Sequence, residues 1–190
     1  TFYTPFLDEE IDDDLTSDEV KASVLNSLTY RLLTEGDVTI GEFTAASGYL
    51  SYAFKMMSHA EGYFTRAIGR YSHAEGRNTI SGYSAHAEGY GAQALGLQSH
   101  AEGNYTLAKN YAAHAEGDQT EALGHGSHAE GMLYGGDSTK KTKAMANGAH
   151  AEGQGTVANG MGSHTEGGLT QTGGEYDGVT YGGGFAHAEG

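Results

Sequence analysis

Ser99-His100-Ala101-Glu102-Gly103-Asn104-Tyr105-Thr106-Leu107-Ala108-Lys109-Asn110-Tyr111-Ala112 is one 14-residue period of this chain, and Ala113-His114-Ala115-Glu116-Gly117 opens the next. The tetrad His-Ala-Glu-Gly starts at His59, His73, His86, His100, His114, His128, His150 and His187, with His-Thr-Glu-Gly at His164. Most starts lie 14 residues apart; the step into His86 is 13, and two long steps of 22 and 23 lead into His150 and His187. A fixed short period broken by occasional insertions is the mark of a solenoid whose loops bulge between coils.

A second, looser pentad sits between the tetrads: Thr65-Arg66-Ala67-Ile68-Gly69, Ala92-Gln93-Ala94-Leu95-Gly96, Thr120-Glu121-Ala122-Leu123-Gly124 and Thr156-Val157-Ala158-Asn159-Gly160. The structural unit is therefore about seven residues, used twice per coil, and the frame extends back through Ser51 and Thr44 to Asp37. Strand side chains alternate, so Ser72 and Ala74 share one face while His73 and Glu75 share the other. The Ser/Thr/Ala face is small enough for two strands to approach closely, and the glycine after it permits a corner. The expectation is an all-β solenoid over 37–190: a thin parallel β-roll of 14-residue coils with loops at about 132–145 and 168–185.

Composition agrees. Glycine supplies 31 of 190 residues with a single proline, which excludes collagen and an ordinary globular core. A net charge of −15 disfavours nucleic acid and anionic membranes, and neither partner is expected. No apolar run of about 18 residues could span a bilayer, and the start carries no basic-then-apolar signal region. The absence of cysteine removes disulfides and thiolate chemistry. A start at Thr1 and an end on the last letter of a repeat lead us to expect a processed chain or a segment of a longer one.

The alternating Ser-x-Ala-x-Gly pentads, as in Ser72–Gly76 and Thr65–Gly69, resemble the left-handed parallel β-roll of YadA-type trimeric adhesin heads. Ser-His-Ala-Glu-Gly arrays are similar to those of bacteriophage tail-fibre and appendage proteins. The resemblance covers roughly residues 37–190 and implies a left-handed roll in a homotrimer at a virion tail or cell surface, structural or adhesive, with host attachment as its use. Where adhesin heads often carry Val and Ile, this chain carries His and Glu.

Those side chains form the first candidate site. Stacked coils place His59, Glu61, His73, Glu75, His86, Glu88, His100, Glu102, His114, Glu116, His128, Glu130, His150, Glu152, His164 and Glu166 in ladders, expected at a chain–chain interface. Val38, Ile40, Phe54, Ile68, Leu95 and Leu123 on the opposite face are the competing hydrophobic glue. If buried, each glutamate should favour a protonated imidazole, so the assembly should loosen as pH rises. No cofactor is expected, although imidazole and carboxylate suit a metal ion, with His73, His100, His114 and His128 as weak candidates.

Catalysis is not expected. Serine and histidine of each pentad face opposite ways, the glutamates are equivalent rather than paired in distinct environments, and there is no zinc-protease or phosphate-loop motif. A polysaccharide-degrading tailspike and a bacterial trimeric autotransporter adhesin are the alternatives to a phage fibre. Residues 1–36 read as an acidic arm followed by a short helix, capped by Thr16 and Glu19 and stopped at Gly36, for docking other virion or appendage proteins or covering the first coil. Within the insertions Tyr134, Lys140, Lys141, Tyr176, Tyr181 and Phe185 are candidates to contact a host glycan or protein.

Overall fold

The computed structural model describes residues 38–39, 43–176, 179–181 and 184–190. The arm and helix expected over 1–36 lie outside these residues, as does Ile40.

The described chain is a β-solenoid of two parallel sheets with ten strands each. Strands beginning at the tetrad histidines, such as His73–Arg77, His100–Asn104 and His114–Asp118, build one sheet. Two-residue strands from the looser pentads, such as Arg66–Ala67 and Leu107–Ala108, build the other. Like letters pair with like: His100 opposes His114 and Glu102 opposes Glu116, while Leu107 opposes Glu121. Nine steps of about 4.8 Å give a stack roughly 43 Å long.

Alternation along each strand sorts the residues as expected. Ala101, Ala115, Thr106 and Thr120 are fully buried between the sheets, whereas the imidazoles lie half-buried on the outside. Among the described residues the interior holds no side chain larger than threonine apart from Leu133 at the first insertion. Burial of methyl groups is thus modest, and each coil is held chiefly by main-chain bonds to the next, as in His100 N–H to Ala113 O (2.9 Å) and Leu107 N–H to Thr120 O (2.9 Å). The pentad serines lock the corners: Ser72, Ser99, Ser127 and Ser163 donate to the carbonyl three residues back, at 2.7–2.8 Å.

Glycine has a sharper role than corner flexibility. The tetrad glycines form a column in which a Cβ on Gly103 would lie 2.2 Å from the Gly117 carbonyl oxygen, at a φ of +110°. The corner itself is closed by the residue before each inward Ser or Thr, and this position is mostly not glycine: Phe64, Tyr71, Gln98, Tyr105 and Gln119 sit at φ of 52–58°. That conformation costs roughly 1–2 kcal/mol per residue. It is held because each such N–H reaches down the stack to a carbonyl, as in Phe64 to Tyr49 (2.8 Å) and Gln119 to Asn104 (2.7 Å).

The irregular steps are also explained. In the 13-residue coil Ser81 is followed at once by Gly82, so the outward residue occupied by Ile68 below and Leu95 above is missing while register is kept. The insertions are shorter than expected. After the first, the roll resumes at buried Thr142 and the strand Lys143–Ala144, leaving 133–141 as the loop. Before the second, Gln171–Thr172 still pairs with Val157–Ala158; the excursion is the antiparallel pair Gly174–Tyr176 and Val179–Tyr181. In both cases Thr-x-Ala or Thr-x-Thr continues the inward pattern, and that pattern sets the boundary.

Candidate functional site: a histidine–glutamate ladder

All sixteen expected ladder residues meet on the outer face of the tetrad sheet, and His187 and Glu189 extend the row. Parallel register demands this, because every imidazole is stacked one coil from its neighbours, with ring centroids 4.6–5.0 Å apart.

The ladder has two halves despite its repeated letters. From His59 to His114 successive rings are inclined by 26–46°. From His114 onward they are within 10° of parallel. Imidazole and carboxylate of one coil lie 3.5–3.8 Å apart up to His128 and Glu130. Higher up, His164 approaches Glu152 of the coil below (3.8 Å) and His187 bonds Glu166 (3.1 Å). Except for that last pair, these separations exceed a hydrogen bond. The Nε2 atoms of His73, His86, His100, His114, His128, His150 and His164 are buried and without a hydrogen-bond partner.

Burial holds the imidazoles of His73, His114 and His128 below the ordinary histidine pKa, neighbouring imidazoles add to this, and the carboxylates only partly oppose it. At these three imidazoles of the single chain the glutamates therefore do not tip the balance to the protonated form. The reason is geometric: the carboxylates remain about half-exposed, 48–51% at Glu75 and Glu102, so water screens them while the rings sit against each other.

Of the four metal candidates the structure favours two. His114, Glu116 and His128 place three ligand atoms within 4.8 Å of one another, as do His128, Glu130 and His150, and His150, Glu152 and His164. Among the described residues no such group includes His73 or His100. Ser72, Ser99, Ser127 and Ser163 are bonded to backbone carbonyls on the inner side, away from the imidazoles, and no nucleophile–base pair forms among the described residues.

The insertion candidates divide. Lys141 and Lys143 clasp Glu121 at 2.8 and 3.1 Å; burial pushes that carboxyl up, but the two lysines outweigh it and hold it below its ordinary value. Lys141 is therefore engaged within the chain. Lys140 remains outward, near Asp137 (3.8 Å) and over the exposed Tyr134 ring (5.8 Å). Phe185 is 82% exposed at a corner, its ring against Gly162. Tyr176 and Tyr181 end the two antiparallel strands, Tyr176 opposite Val179.

A further feature escaped the sequence reading. On the edge that follows the tetrads, Tyr49 stacks on Tyr63 (5.1 Å), Arg77 lies 5.3 Å from both the Tyr63 and Tyr90 rings, and Tyr90 meets Tyr105 edge-on (4.9 Å). The four tyrosines are 37–56% exposed, a continuous aromatic ridge across five coils. Its signal was present: Tyr63, Arg77 and Tyr90 follow the first three tetrads, and Tyr49 holds the equivalent place one coil earlier, after Ala45-Ala46-Ser47-Gly48.

Fold and ladder define a repetitive β-solenoid with one chemically uniform face. Compared with known proteins, the chain matches no family model and no curated sequence.

Proposed function

We propose that this chain is a segment of a trimeric fibre, structural or adhesive, belonging to a phage tail or a similar surface appendage. The observation that carries the reading is the ladder face: repeated in nine successive coils, and bearing seven buried Nε2 atoms that lack a partner within the chain. Unpaired buried polar atoms cost free energy, and a second copy of the same face offers carboxylates at the same spacing. The opposite sheet is a poorer shared interface, since Arg66, Ile80, Gln93, Leu107, Glu121 and Lys143 follow one another at equivalent outward positions. The likeness of the pentads to YadA-type heads and phage fibres supports three chains and a surface location. The aromatic ridge and the outward Tyr134, Lys140 and Phe185 are surfaces suited to a host glycan or protein.

The absence of a serine–histidine pair among the described residues, and the equivalence of the stacked glutamates, favour a fibre over a glycan-cleaving spike. Light scattering on the purified chain tests the assembly. A mass of three chains is expected, and a folded monomer at micromolar concentration would refute it.

A further inference from the structure

We infer that the upper half of the ladder holds transition-metal ions of the zinc class at two sites, His114/Glu116/His128 and His150/Glu152/His164. The inference needs ligands from one chain only and goes beyond the fibre reading.

These coils differ in geometry from those below them that carry the same His-x-Glu letters. Among the described residues, three groups of two imidazoles and one carboxylate have ligand atoms within 4.8 Å of one another, all between His114 and His164, and none involves an imidazole below His114. The Nε2 atoms of His114, His128, His150 and His164 are buried and lack any hydrogen bond. Each carboxylate stands too far from its imidazole to supply one: 3.8 Å for His114 and Glu116, 3.8 Å for His164 and Glu152. A tetrahedral zinc with bonds of about 2.0–2.2 Å holds neighbouring ligand atoms roughly 3.3 Å apart. The 3.8 Å separations are long for a hydrogen bond and about 0.5 Å wider than a shared ion requires, and the parallel rings, 4.6 Å between centroids, must tilt toward each other to aim both lone pairs at one ion. Two imidazoles and one carboxylate are a donor set zinc accepts, with the fourth position left to water.

Sharing limits the loading. The group His128/Glu130/His150 uses one histidine from each flanking site, so filling both flanking sites excludes it. The uppermost group, Glu166/His187/Glu189, has its imidazole already bonded to Glu166 at 3.1 Å. Saturation at two ions per chain follows.

The test is calorimetric titration of Zn²⁺ into the full chain, freed of metal by chelator and held at pH 7.5. About two ions per chain are expected for the natural sequence. Glu116→Gln and Glu152→Gln should each lose one ion, while Glu61→Gln, the same letter in an inclined coil, should keep both. No binding, or equal loss in all three variants, overturns the proposal. Far-UV circular dichroism confirms that the isosteric variants remain folded, and the stoichiometry of the natural chain stands without them. Light scattering on the same samples separates this from the fibre reading: a metal-free trimer that takes up no zinc refutes only the sites, and a monomer binding two ions refutes only the trimer.

Discussion

Gly103→Ala is the substitution the fold should tolerate least for its size. A Cβ there would sit 2.2 Å from the Gly117 carbonyl oxygen and 3.0 Å from its carbonyl carbon. Both are main-chain atoms of a strand paired on each side, so neither can retreat without parting the coils. Forcing alanine into that φ costs roughly 1–3 kcal/mol, and overpacking a rigid contact adds about 1–3 kcal/mol more. The control is Gly126→Ala. Gly126 has φ of +58° with no atom within 4 Å of a Cβ, and Ala112 already occupies the equivalent corner one coil earlier at +50°. Its cost should be about 1 kcal/mol. Urea unfolding followed by circular dichroism, at one fixed chain concentration, should show Gly103→Ala less stable than Gly126→Ala by on the order of 2–4 kcal/mol. Equal midpoints for the two variants would refute the claim that a backbone column, and not turn flexibility, demands glycine in the tetrad.

Two further outcomes follow from interior hydroxyls and from the ladder. Thr106 Oγ1 is buried without a partner, whereas Thr142 Oγ1 accepts from Gly155 N–H (3.0 Å) and reaches the Met132 and Gly153 carbonyls (2.9 and 3.0 Å). Thr106→Val should therefore leave stability unchanged or raise it by about 1 kcal/mol, and Thr142→Val should lower it by about 1–3 kcal/mol in the same urea assay; the reverse order would contradict the bonding described. In chelator, the melting temperature should fall as pH drops from 8 to 5. The folded pKa values of His73, His114 and His128 lie below the unfolded value of 6.5, so the folded chain binds fewer protons, and its stability is full above about 6.5 and declines below it. A melting temperature that is flat or rises toward pH 5 would show that the carboxylates, not burial and neighbouring rings, govern the imidazoles.

The architecture was legible because it rests on spacing. A 14-residue recurrence with small residues at alternate positions leaves little besides two parallel sheets with an Ser/Thr/Ala interior, and Ala101, Thr106 and Thr120 are buried accordingly. Ladder membership followed from the same register. What could not be read were quantities set by orientation. His73 and His128 share their letters, yet only the rings above His114 become parallel, so the split between candidate metal ligands was invisible. The lowered pKa of His73, His114 and His128 in the single chain was not readable either, because the letters give the charge partner but not its exposure. The left-handed corners were misassigned to glycine because a stack of carbonyls can hold Phe64 or Tyr105 there, a compensation that lies one coil away. The aromatic ridge is legible in the letters, since Tyr63, Arg77 and Tyr90 each follow a tetrad.

The two faces of each strand are under different physical constraints, and this explains how one motif can build both a fold and a site. Inward positions are fixed by space, since any side chain beyond threonine would separate sheets held by main-chain bonds, and the glycine column cannot accept even one methyl group. Outward positions face no such limit; the second sheet places Arg66, Gln93, Leu107, Glu121 and Lys143 at one equivalent position without loss of register. The scaffold would hold equally well with varied residues on the tetrad face. Yet nine successive coils carry the same imidazole there, at the cost of stacking groups whose protonation would set like charges under 5 Å apart. Folding the single chain does not require that uniformity. The proposed partner chain running alongside the stack would act on every coil alike, and the proposed ions would occupy only the coils from His114 upward, where ligand atoms group.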